Sequence, residues 1–265
     1  MSADLAQPCS ICGTKTTTRC SSCGAAGADI FFCSKDCQRA IWSAHKQICG
    51  ARANPFQWPP LSPEEVEDAI KHLGTRHELG EAKLTLGDVL SAMLLAPRRE
   101  HADIIRTLGT PNPAPNLVPP GLVQIALFKV RTVEYSRIVS SMSFNLPAPA
   151  PTRNNNPNRF QTLVSVFVRF LTSPRELETG TPTSERVEKW YTGYAHRALA
   201  YFTLREEWRL QPWREEFRAY HEWTKKELQR YIREEVVKIE PARGRKMQEF
   251  MRTLPPLMCE QQPWR

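Results

Sequence analysis

Between residues 9 and 49 the chain places seven of its eight cysteines and one of its six histidines at metal-ligand intervals. The series runs Cys9-x2-Cys12-x7-Cys20-x2-Cys23-x9-Cys33-x3-Cys37-x7-His45-x3-Cys49. Eight soft ligands complete two tetrahedral zinc ions, one held by four thiolates and one by three thiolates and an imidazole. A segment of this size cannot bury enough apolar surface to order itself, so zinc binding is its folding energy. With every coordination position filled by protein, both zincs are structural, and no position is left for a catalytic water.

The intervals carry geometry. A C-x2-C turn brings two thiolates round to one metal, and Gly13 and Gly24 suit the tight turn after each knuckle. Cys33/Cys37 and His45/Cys49 stand four residues apart, the spacing of one helix face. Ser34 reads as a helix N-cap, and Lys35 to His45 contains neither Pro nor Gly. Each zinc is therefore expected to take one knuckle pair and one helical pair; spacing alone allows more than one such pairing. A disulfide framework fits poorly, because a histidine belongs to the pattern and the cysteines in it are odd in number. Met1-Ser2-Ala3-Asp4 offers neither a basic n-region nor an apolar run, so an intracellular location, nucleus or cytoplasm, is expected. A RING module places its histidine after the third cysteine, whereas here it is the seventh ligand.

The run from Phe32-Cys33-Ser34-Lys35-Asp36-Cys37-Gln38 through Trp42 to His45-Lys46-Gln47-Ile48-Cys49 resembles the second half of a MYND-type zinc finger. That family has an aromatic before the fifth ligand, then Cys-Ser-x-x-Cys-Gln, a tryptophan and His-Lys-x-x-Cys, and all eight ligand positions match. One departure is Ile41, where the family has a polar or charged residue; it is expected to alter only the exposed face. The resemblance implies an interleaved metal arrangement, with Cys9, Cys12, Cys33 and Cys37 on one zinc and Cys20, Cys23, His45 and Cys49 on the other. It also implies docking of proline-rich peptides, of P-x-L-x-P or P-P-x-L type, on a groove carrying Gln38 and Trp42. An indole packs on proline and an amide bonds an extended backbone. The alternative is that Trp42 packs between the two zinc sites and Gln38 is solvated. Pro59 to Pro63 holds an internal P-x-L-x-P match that would serve as a ligand in cis, but Ser62-Pro63-Glu64-Glu65 reads more simply as a capping box with proline at the first helical position.

Beyond the finger (1–50) and a Pro-rich linker (51–62), residues 63–265 read as a mostly α-helical domain with loops near 109–120 and 147–158. Val66, Ile70 and Leu73, then Val89, Leu90, Met93 and Leu94, then Ile104, Ile105 and Leu108 recur at helix-face spacing to about residue 106. Residues 122–144 lean to helix despite their β-branched side chains, and Phe160 to Leu171 reads as a buried helix. Two long amphipathic helices, 184–209 and 212–238, part at Gln211-Pro212. Their aromatics, Trp190, Tyr194 and Tyr201, then Trp213, Phe217, Tyr220 and Tyr231, are read as a core face rather than as stacking platforms for single-stranded nucleic acid. Glu206/Glu207 with Arg209, and Glu234/Glu235 with Lys238, are read as solvated surface.

The formal net charge of +8 falls to about +5 once seven thiolates and two Zn2+ are included. The basic residues are dispersed, and the densest run, Arg243-Gly244-Arg245-Lys246, is too short for a nucleic-acid site. The leading expectation is a zinc-binding protein–protein interaction module with a proline-rich partner; the alternative is a nucleic-acid-associated regulator using the helical body. No membrane span and no enzyme activity are expected. A SET-type lysine methyltransferase, the activity of one MYND family, needs an Asn-His motif and glycine-rich turns; this chain has no Asn-His dipeptide and 12 glycines. His77-Glu78 and His221-Glu222 lack the second histidine of a metalloprotease motif, and neither a nucleophile elbow nor a phosphate loop is present. Cys259 is read as a free thiol.

Overall fold

Two compact units divide the chain out of sequence order: residues 1–57 join 183–265, and 58–182 form the second. The structure, a computed structural model, describes residues 6–79, 82–143, 185–211 and 213–253. In the first unit β1 (Gln7–Pro8) pairs antiparallel with β2 (Lys15–Thr16), followed by α1 (Ser21–Ala25), α2 (Lys35–Ala40) and α3 (Trp42–His45). Ser34 caps α2 as expected, its hydroxyl accepting the Cys37 N–H at 3.2 Å. The expected single helix from Lys35 to His45 breaks at Ile41, whose φ of −119° and ψ of 7° restart the chain as α3. Cys33 therefore precedes the α2 cap and Cys49 lies past α3. Gly13 takes a positive φ of 78°, but Gly24 lies inside α1, and Gly27, at φ 81°, makes the second left-handed turn. Residues 51–57 are not a linker: Ala53 and Phe56 are buried and bridged to one another, and the Phe56 N–H donates to Thr192 Oγ1 at 3.1 Å.

The second unit opens with Trp58, Pro59 and Leu61 buried and Pro60 and Ser62 half-buried, so this stretch of the expected linker packs into the unit. α4 (Pro63–Lys71) starts from the predicted capping box: Glu65 N–H donates to Ser62 Oγ at 3.2 Å, and Ser62 N–H to the Glu65 carboxylate at 2.8 Å. An unexpected hairpin follows, β3 (Arg76–Leu79) against β4 (Ala82–Thr85), with Arg76 opposite Thr85. Four-residue strands carry little period-two signal against the helical periodicities on either side. Thr85 and Asp88 form a second capping box at the start of α5 (Leu86–Leu94), and the Thr85 hydroxyl holds the Asp88 carboxyl below its ordinary range. Among the described residues, α6 (His101–Leu108) and α7 (Val123–Ser143) pack with α5 around Leu86, Leu90, Ile104, Ile105, Leu108 and Val130.

Arg131 of α7 is buried and fixes the start of this unit. Its guanidinium donates to both Glu65 carboxylate oxygens, each at 2.8 Å, and to the Pro59 and Pro60 carbonyls at 2.9 and 3.0 Å. Leu61 donates its N–H to the Leu108 carbonyl at 3.0 Å. The internal P-x-L-x-P match is thus consumed by packing within its own unit, so its leucine is not on offer as a ligand in cis.

The first unit is completed by α8 (Glu185–Leu210), α9 (Glu215–Tyr231), which continues through a π turn at Ile232–Val236, and α10 (Pro241–Thr253). α8 and α9 pack together, and at Gly193 a Cβ would collide with the Tyr231 hydroxyl, which donates to the Trp190 carbonyl at 3.1 Å. Trp190, Tyr194 and Tyr201 are fully buried, as a core face requires, and present no ring face for stacking on bases. Trp213 leaves the stripe, with 71% of its surface exposed. Glu207, read as solvated, is buried and accepts the Gln211 side-chain N–H at 3.0 Å. The 147–158 loop, the Phe160 to Leu171 helix and Cys259 lie outside the described residues. Among the described residues no helix is long and apolar enough to cross a membrane.

His221 sits in this core with its ring 5.1 Å from both Tyr201 and Trp208, and among the described residues neither ring nitrogen has a hydrogen-bond partner. Burial pushes its pKa down to about 4, with Arg205 and Lys225 adding to the effect. Above the unfolded value near 6.5 both states are neutral; below it the unfolded chain takes a proton the fold refuses. Stability is therefore lost as pH falls from 6.5 toward 4, by about 1 kcal/mol at pH 5.5. Urea midpoints at pH 7.5 and 5.5 should differ less in His221→Phe than in the parent; equal slopes would show that this ring stays neutral in neither state or both.

Candidate metal centre

The fold gathers all eight predicted ligands into two clusters, Cys9, Cys12, Cys33 and Cys37 in one and Cys20, Cys23, His45 and Cys49 in the other. In the first, Sγ–Sγ separations are 3.4 Å (Cys12–Cys33), 3.6 Å (Cys33–Cys37) and 3.7 Å (Cys37–Cys12). In the second, Cys49 Sγ lies 3.6 Å from the sulfurs of both Cys20 and Cys23, and His45 Nε2 lies 3.6 Å from Cys23 Sγ. A tetrahedron with ordinary zinc–sulfur bonds sets sulfurs about 3.8 Å apart, and a sulfur and an imidazole nitrogen about 3.6 Å apart. A disulfide would draw two sulfurs to about 2 Å, and all seven cysteines are free. The spacing is that of ligands around a zinc ion.

Electrostatics point the same way. Burial pushes the Cys23 thiol up to about 12 and raises those of Cys37, Cys33 and Cys49. At Cys12 burial acts in the same direction, but hydrogen bonds from the Thr14 hydroxyl and backbone override it and bring the thiol down to about 7. Seven crowded thiolates are tenable only around a cation that neutralises them. His45 is pushed down to about 4 by burial, which keeps its ring neutral as a metal ligand must be.

The sequence model of the MYND finger matches residues 9–49. Residues 9–49 are a MYND finger. No curated protein and no solved structure matches the chain. The two zincs of this finger are interleaved, because the ligands Cys20 and Cys23 lie in sequence between Cys12 and Cys33 of the first cluster.

Backbone hydrogen bonds shape each knuckle of the MYND finger. Gly13 N–H donates to the Cys9 carbonyl at 3.0 Å, and Gly24 N–H to the Cys20 carbonyl at 2.8 Å. Ile11, Phe32 and Ile48 form a small apolar core, with the Phe32 ring edge-on to His45 at 5.6 Å. The departure at Ile41 has a different meaning from the one expected. Ile41 is buried, α3 packs on α8, and Ile41 with His45, His196 and Leu199 lines a cavity of about 560 Å3. The charges around that cavity are already paired, Arg19 with Asp29 at 2.6 Å and Arg197 with Glu227 at 3.1 Å.

Sequence reasoning missed Trp223 altogether and gave Tyr220 no metal role. Trp223 Nε1–H donates to the Cys9 carbonyl at 3.2 Å, and the Tyr220 hydroxyl lies 4.0 Å from Cys37 Sγ. Of the two predicted peptide-docking residues, Trp42 keeps 44% of its surface exposed at the start of α3, and Gln38 is half-buried in α2, before the break at Ile41. Trp42 leans on the His45 ring at 5.9 Å rather than filling the space between the metal clusters. A third grouping of ligand-type side chains, Asp68, His72 and Glu134, belongs to the second unit. There His72 caps the end of α4, its Nδ1–H donating to the Asp68 carbonyl at 2.8 Å.

Proposed function

We propose that this protein is a zinc-dependent, non-catalytic docking protein of the cell interior, whose MYND finger binds a proline-rich segment of a partner protein across Trp42 and Gln38. The observation that carries the reading is the exposed indole of Trp42 on a rigid, metal-held turn. No other large apolar side chain of this finger is exposed: Phe32, Ile41 and Ile48 are buried and Phe31 is half-buried. An exposed tryptophan suits an extended proline-rich chain, which has already lost most of its conformational entropy before binding. The P-x-L-x-P and P-P-x-L classes follow from the family resemblance. The nucleic-acid alternative has less support, since the aromatic stripe is largely core and the basic residues are dispersed.

Calorimetric titration of the zinc-loaded chain with P-P-x-L and P-x-L-x-P peptides should show saturable binding. Trp42→Ala should weaken it by about thirtyfold, the effect of losing a central aromatic anchor, with zinc content unchanged. Gln38→Ala should cost less. Absence of saturable binding across both peptide classes would reject the reading.

A further inference from the structure

We propose that α9 is part of the first zinc centre, with Tyr220 and Trp223 acting as positioning residues for its thiolates. The two contacts cross 183 and 214 residues of sequence, yet both end on the same four-thiolate centre. Tyr220 and Trp223 are three residues apart on α9, so one helix face presents both side chains.

Their chemistry is complementary. Trp223 Nε1–H donates to the Cys9 carbonyl, the same oxygen that accepts Gly13 N–H and closes the knuckle. The indole lies flat on Gly13: a Cβ there would fall 2.8 Å from three of its ring carbons. Glycine is required twice at this position, once for φ of 78° and once for this approach. The indole thus clamps the turn that sets the Cys9 and Cys12 sulfurs. Tyr220 acts on the other half of the same centre. A phenol is protonated at neutral pH, and beside a zinc-bound thiolate its O–H is the donor toward Cys37. A donor to a ligand sulfur and a clamp on a ligand loop are the contacts by which an outer shell holds a metal centre together. Among the described residues no such contact from α9 reaches the centre built on His45.

The consequence is that the MYND finger of this chain is completed by a helix from the far end of the sequence. The test uses the full chain with both zincs exchanged for cadmium, observed by cadmium NMR. A four-thiolate centre and a three-thiolate, one-imidazole centre give separate resonances. Tyr220→Phe removes one oxygen and retains the packing, whereas Trp223→Phe removes the indole N–H together with part of the ring surface lying on Gly13 while keeping an aromatic side chain. Each is expected to shift the four-thiolate resonance and leave the other in place, and to speed chelator extraction of metal about tenfold. If the four-thiolate resonance stays put in both variants, or if both resonances move together, α9 is only packed against the finger and the proposal falls.

Discussion

Chelation of both metals is expected to unfold residues 9–49 outright, while the unit built on 58–182 keeps its structure. The finger has β-strands of two residues and helices of four to six, elements too short to persist alone. Structural zinc contributes about 10–16 kcal/mol per site in finger peptides, far more than so small a core supplies. Limited trypsinolysis after chelation should open cleavage at Arg19, Lys35, Arg39 and Lys46, and leave α4 and α7 protected. Interleaving sharpens the expectation. Cys23→Ser, at a fully buried ligand of the second cluster, should lower zinc content by close to two equivalents rather than one, because Cys20 and Cys23 lie in the loop that connects the ligand pairs of the first cluster. Retention of one full equivalent with a protease-resistant finger would show the two centres to be independent.

The metal centre was legible because coordination is a local code of residue type and interval. Cys9 to Cys49 announce themselves whatever surrounds them, and the MYND resemblance resolves the pairing that intervals leave open. Caps were legible for the same reason, as Ser34 and Ser62 show. The contacts that build the unit around the finger were not, because they join residues far apart through ordinary side chains. Trp223 looks like any aromatic on an amphipathic helix, and nothing in its neighbours points to Gly13. The sequence reads as one helical block after a linker, whereas residues 58–182 intervene in sequence between the finger and the helices that pack on it. One signal was available. An isoleucine where the family has a polar residue says that this face of α3 is covered, and Ile41 is buried where α3 meets α8. The break at Ile41 could not be read from propensity, since isoleucine forms helix passably and the deviation comes from packing.

Arg131→Ala is expected to destabilise the second unit by about 3–5 kcal/mol, the usual penalty for breaking a buried ion pair from one side. Four acceptors lose their donor at once: two oxygens of Glu65 and the carbonyls of Pro59 and Pro60. The Glu65 carboxylate would keep its bond from Ser62 N–H but lose the charge that compensates its burial. The prolines matter too. Pro59 and Pro60 have no N–H with which to join a backbone ladder, and the Arg131 guanidinium supplies a donor to each of their carbonyls. Arg131→Lys should recover less than half of the loss, because an ammonium is a single point of charge and cannot span a carboxylate and two carbonyls as the planar fork does. Hydrogen exchange of α4 and α7 amides reads this unit without interference from the zinc-bound one. A loss under about 1 kcal/mol in Arg131→Ala would mean that water replaces the guanidinium at the Pro59–Glu65 corner, and that the apolar core around Leu61, Leu90 and Leu108 positions α4 without it.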